Sequence, residues 1–150
     1  MRPRHTIPAA LVLLLAACGS NPEPAGEPSP SPSTRTITGT MTIQGWPSGW
    51  NVGLECHGGS LSRRGWDDLS PGAQVVVTDS GGKTVGVGTL ELGSVRADTE
   101  LGEPFKVCAM PFQVTGVPTG DRFYAVEVAR RGKVQFEDAQ LGIPIHLSIG

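Results

Sequence analysis

Several signatures of catalysis are missing from this chain. It has three histidines in 150 residues and no Gly-x-Ser-x-Gly elbow to expose a nucleophilic serine. A serine–histidine–acid hydrolase has little to draw on. Basic residues are also scarce: 12 Lys+Arg stand against 14 Asp+Glu, for a formal net charge of −2. Nucleic-acid binding needs a basic stripe, and this balance argues against it. No segment sustains a helical period. Asp67, Asp68 and Asp79 are oxygen donors, but their spacing fits no calcium loop. Cys56, Cys108 and His57 lack a fourth ligand nearby for zinc. Gly82-Lys83-Thr84 looks like the end of a phosphate loop, yet Val77 stands where the leading glycine belongs. Neither an enzyme nor a metal or other cofactor is expected.

What the chain does have begins at its start. Met1-Arg2-Pro3-Arg4-His5 is basic, and an apolar stretch follows from Ile7 to Ala17, interrupted by Pro8. A basic start, a short apolar run and small residues make a secretory signal. The run is about half of the ~20 residues that span a bilayer. Leu15-Ala16-Ala17-Cys18 resembles the lipobox of bacterial lipoproteins. That resemblance implies a diacylglycerol on the Cys18 sulfur and cleavage after Ala17, so residues 1–17 are read as a lipoprotein signal peptide. An ordinary signal followed by a chance cysteine is the alternative. The expected location is the extracytoplasmic face of the cell membrane, held by lipid at Cys18. Cleavage also removes Arg2 and Arg4, so electrostatic adhesion to anionic lipid is not expected and the acyl chains must anchor.

Residues 18–34 carry the lipidated cysteine and a Pro/Ser-rich stretch with almost no apolar side chains. Such a composition cannot pack a core. Alternating Ser-Pro favours extended backbone, and at ~3.1 Å per residue the tether reaches up to ~50 Å. With Cys18 assigned to lipid, Cys56 and Cys108 remain. An even pair in an exported chain reads as a disulfide, closing a loop of roughly 50 residues worth ~4 kcal/mol in the chain-entropy model. Two buried thiols are the alternative.

From residue 35 to 150 the period is two. Ile37, Met41 and Ile43 alternate with threonines, and Gly39 leaves a gap on the apolar side, where a bulge or close packing is possible. Ala73–Asp79 is β-rich, Ser80-Gly81-Gly82 turns, and Val85 and Val87 alternate with Gly86 and Gly88. Cys108, Met110, Phe112 and Val114 share one face. Tyr124, Val126 and Val128 share another, Val134 and Phe136 are read as facing in, and Ile145, Leu147 and Ile149 close the series with His146 outward. This predicts an all-β domain: an antiparallel β-sandwich of about seven strands. Residues 46–72 and 91–104 read as long loops, where binding tends to sit.

The stretch from Gly72-Ala73-Gln74-Val75 through Phe123-Tyr124-Ala125-Val126-Glu127-Val128 and Arg131-Gly132 resembles uncharacterised small surface lipoproteins of actinobacteria. More loosely it is similar to transthyretin-like and carboxypeptidase-regulatory-like sandwich domains, which share a Val-x-Asp-x-x-Gly hairpin and a Tyr-x-Val-x-Val strand. The resemblance spans roughly residues 65–140. It implies an immunoglobulin-like sandwich and carries no catalytic residues across.

Trp46, Trp50 and Trp66 are read as lying outside the strands, with Asp67 and Asp68 beside the last. Loop indoles next to carboxylates can stack on sugars while the acids bind hydroxyls. Capping the open end of the sandwich is their other reading. Asp68 and Glu127 are the carboxylates a glycosidase would pair. Arg130-Arg131-Gly132-Lys133 reads as a solvated basic hairpin tip. The expected function is a lipid-anchored, non-catalytic binding module for an envelope glycan or protein. The alternatives are an accessory subunit of an envelope complex docking by edge-strand pairing, or a cell-wall glycan hydrolase.

Overall fold

The computed structural model describes residues 33–46, 49–60, 65–98 and 105–150, with the backbone alone at Trp46. The segment read as a signal peptide, Cys18 and the stretch read as a tether up to residue 32 lie outside the described residues. Nine strands are present among the described residues: β1 (Thr34–Trp46), β2 (Glu55–Cys56), β3 (Gln74–Thr78), β4 (Thr84–Leu90), β5 (Gly93–Ala97), β6 (Lys106–Pro118), β7 (Phe123–Val128), β8 (Lys133–Glu137) and β9 (Ile145–Ile149). Short 3-10 turns occupy Gly58–Ser60 and Asp138–Gly142. The fold is all-β, as the alternation predicts. Its sheet is antiparallel and curled, apart from one parallel pair, β1 with β9.

β6 organises the sheet. β1 lies along one side of it, over nearly its whole length. On the other side β5 pairs with Lys106–Ala109, and β4 with Phe112 and Gln113. From β4 the sheet continues through β3 and β7 to β8, while β9 sits beyond β1. One core fills the curl, with Ile37 and Ile43 from β1, Val75 and Val77 from β3, Met110 and Val114 from β6, Tyr124 and Val126 from β7, and Ile145 from β9. Among the described residues β8 pairs only with β7, and β9 only with β1. Between them lies a gap of about 410 Å³ lined by Met41, Val126, Val128, Val134 and Leu147.

Local chemistry explains the close contacts. At Gly39 the register runs without a break, and the bulges fall instead between Arg35 and Ile37 and between Ile43 and Trp46. Gly39 is a packing glycine: a Cβ there would run into the Phe112 ring and stand 2.8 Å from Ile145 Cγ1. β4 turns Gly86 and Gly88 inward and Val87 outward, while Val85, at a register irregularity, is half-buried against the core. A Cβ at Gly86 would lie 2.7 Å from Val114 Cγ1, one at Gly88 would strike the Gln113 carbonyl, and Val87 is 51% exposed. Missing side chains on β4 let β6 approach. Tyr124 pins the turn ahead of β7. Its hydroxyl donates to the Pro118 carbonyl at 2.7 Å and accepts from the Asp121 amide at 3.2 Å, a corner typical of sandwiches. Cys56 and Cys108 form a disulfide with Cα atoms 5.9 Å apart, joining β2 to β6.

Three expectations need correcting. Residues 91–104, read as loop, contain β5, and residues 46–72 contain β2. Neither strand shows a period-two run, because pairing with β6 and with each other defines them. Trp46, read as lying outside the strands, ends β1 opposite Lys106. Val134 does face the core side, opposite Val126, but is 46% exposed because β8 is an edge strand. In addition, β1 begins at Thr34, one residue inside the segment read as tether.

Candidate functional site

The five loop residues singled out for ligand contact do not form one platform. Trp66 is 8% exposed and belongs to the core. Its carbonyl accepts from the Leu69 amide at 2.9 Å, and the Leu69 carbonyl accepts from the Gly58 amide at 2.6 Å. The absence of a side chain at Gly58 lets the two segments meet, since a Cβ would land on the Trp66 carbonyl. An indole held there has no free face for a sugar, so Trp66 is corrected from ligand contact to core cap. Trp50 is half-buried and packs against the same core. The Trp46 side chain lies outside the described residues.

Asp68 is engaged by Arg131. The Arg131 Nε donates to Asp68 Oδ2 at 2.8 Å, one terminal nitrogen donates to Asp68 Oδ1, and that nitrogen also reaches the Gly65 carbonyl at 2.7 Å. These hydrogen bonds hold the Asp68 carboxyl below the usual carboxylate range against a smaller opposing effect of burial, and Asp68 raises Arg131 in turn. The pair fastens the 65–69 loop to the β7–β8 turn. Asp67 is exposed. Asp68 is thus tied to Arg131, while Glu127 sits on β7 opposite Lys133. Asp79 shapes the β3–β4 turn, its Oδ1 accepting from the Lys83 amide at 2.8 Å. Among the described residues no three metal-ligating side chains gather.

The sheet itself supplies a better-formed site. Alternation fixes its origin: with Ile37, Met41 and Ile43 turned in, β1 must present Thr40, Thr42 and Gln44 outward. With Ile145 and Leu147 turned in, β9 presents His146 and Ser148. The parallel register then sets Thr40 beside His146 and Thr42 beside Ser148. On the other flank Thr42 faces Ala109 of β6, and Arg96 of β5 faces Val107. Val107 and Ala109 lie on this outer face, yet they are 8% and 4% exposed, sunk between longer neighbours. They floor a cleft of about 470 Å³ whose walls carry Thr40, Thr42, Gln44, Arg96, Asp98, His146 and Ser148.

This cleft offers hydroxyls and an amide, one guanidinium and one imidazole, with the Asp98 carboxylate buried in its wall at 5% exposure. Such a set can donate to and accept from several oxygens at once. His146 was read as solvent-facing, and it is exposed at the cleft wall. Sequence reasoning missed the rest, although the Thr-x-Thr-x-Gln outward face of β1 is written in the chain. The site depends on β9 lying beside β1 and on β5 existing at all, and neither follows from local pattern. No protein-family model matches the chain, nor does any curated protein or solved structure.

Proposed function

We propose that this chain is a lipid-anchored lipoprotein of the cell envelope whose β-sandwich is a non-catalytic binding module, with the outer-face cleft as its ligand site. The cleft carries this reading. Clustered hydroxyl, amide, guanidinium and carboxylate groups over a small-residue floor suit a polyhydroxylated ligand such as a wall glycan bearing carboxylates. Arg96 pairs with the acid groups, while Thr40, Thr42 and Ser148 exchange hydrogen bonds with hydroxyls. The basic, apolar, small-residue start and Cys18 support the anchor, and residues 18–34 serve as the tether that holds the module off the membrane.

Calorimetric titration of the detergent-solubilised chain with soluble wall-glycan fragments tests the site. Arg96→Ala and Thr42→Val are each expected to weaken binding about tenfold, the worth of one or two good polar contacts. Asp67→Ala is expected to leave it unchanged. Binding that survives both cleft variants, or no binding by the parent chain, overturns the cleft assignment. Metabolic labelling with palmitate tests the anchor, which fails if Cys18→Ser labels as strongly as the parent.

A second reading, an accessory subunit docking by its sheet edge, draws support from β9. That strand carries no charged residue and no proline between Ile145 and Ile149. Edges without such guards pair readily with other strands.

A further inference from the structure

We infer that β8 is a self-recognition edge through which two copies of this chain pair as an antiparallel, two-fold symmetric dimer. The inference goes beyond the proposed ligand site and needs neither glycan nor lipid.

β8 reads Lys133-Val134-Gln135-Phe136-Glu137, and its partner on one side is β7. Its pairing with β7 is regular, without a bulge. Lys133, Val134, Gln135 and Glu137 are exposed and Phe136 is half-buried. The strand has no proline. Of the usual guards on a free edge, it carries only charge, one residue of each sign at its two ends.

Those charges select a partner. When β8 is laid antiparallel against a second β8 about Gln135, Lys133 of each copy faces Glu137 of the other. Val134 then faces Phe136 on the core side, and Gln135 faces Gln135 on the outer side. Every position meets its complement. Opposite charges directly across an antiparallel pair stabilise it, and like charges destabilise it. The register also sets odd positions against odd ones, so amides turned toward the edge on one copy meet the same amides on the other. A two-fold interface needs this self-complementarity, because one patch must serve both sides. On the β7 side Lys133 already faces Glu127, so the dimer places it between two carboxylates. Val134, at 46% exposure, is the large apolar side chain that the pairing covers. β9, another strand paired on one side among the described residues, has no charge with which to choose a partner.

The test uses native mass spectrometry of the full chain in detergent, with copies distinguished by mass. The parent is expected to dimerise. Lys133→Glu and Glu137→Lys are each expected to weaken the dimer about tenfold, since each creates two like-charge oppositions. Mixed one to one, the two variants are expected to form heterodimers in preference to either homodimer. A chain with both substitutions is expected to dimerise like the parent. Recovery in the mixture cannot arise from a misfolded variant. A monomeric parent overturns the inference, as do single variants that dimerise unchanged or a mixture with no heterodimer preference. A parent found on another protein in place of a second copy overturns it too.

Discussion

Arg131 holds a loop and a hairpin together through one carboxylate. Its partner Asp68 is kept below the usual carboxylate range by hydrogen bonds from the guanidinium. Asp68 therefore stays charged in the fold at a pH where the unfolded chain takes up a proton. The stabilisation is complete above the unfolded carboxylate value near pH 4 and fades as pH falls through the lower folded value. Both side chains are partly open to solvent, so the contribution is small, roughly 0.2–1 kcal/mol. Asp68→Asn is expected to lower the melting temperature slightly at pH 7, and the two proteins to converge in strong acid or high salt. A thermal melt series across pH checks this. A gap that stays constant down to pH 2 would mean that packing, not charge, is responsible. In the sequence Asp68 looked like a ligand group because it follows Trp66 and Asp67. Nothing local announced Arg131, which lies more than sixty residues away.

Strands with clean alternation were legible. β1, β6, β7 and β9 each place one apolar set inward, and the structure buries those sets. β4 shows why alternation alone can mislead. Val87 lies outward and Gly86 and Gly88 inward, because β6 crosses too close for side chains on that face. Gly88→Ala is accordingly expected to cost about 1–3 kcal/mol by overpacking against the Gln113 backbone. Val87→Ala, one position away, is expected to cost no more than ~0.5 kcal/mol. Urea midpoints of the two variants decide it. If the valine costs more than the glycine, β4 faces the other way. β5 and β2 escaped notice for a different reason: Gly93-Ser94-Val95-Arg96-Ala97 has one β-branched residue and a charge, and its strand character comes from the β6 backbone beside it.

Across the whole molecule, Cys56–Cys108 joins β2 to the central strand over 52 residues. The chain-entropy model for a loop of this length gives ~4 kcal/mol, and loss of a disulfide in a small exported domain costs about 2–5 kcal/mol. Replacing both cysteines by alanine is expected to lower the urea midpoint accordingly. A midpoint equal to the parent's would mean that β2 adds nothing to the cooperative unit. The fold class was legible because it is a sum of local alternations. The cleft was not, because it is a property of neighbours: β9 returns parallel to β1 after a long excursion and sets His146 and Ser148 against Thr40 and Thr42.

The same neighbourhood has a mechanical meaning. The described chain reaches the fold at Ser33, whose carbonyl accepts from the Thr119 amide, and it runs straight into β1. β1 is hydrogen-bonded on one side to β6 and on the other to β9. Tension applied at Ser33 acts along the axis of β1 and loads both ladders in shear, many bonds at a time. It does not peel them apart singly, as tension on a hairpin edge would. Force entering at Ser33 is borne by a strand paired with β6 from Thr34 onward and with β9 as well from Gly39 to Ile43.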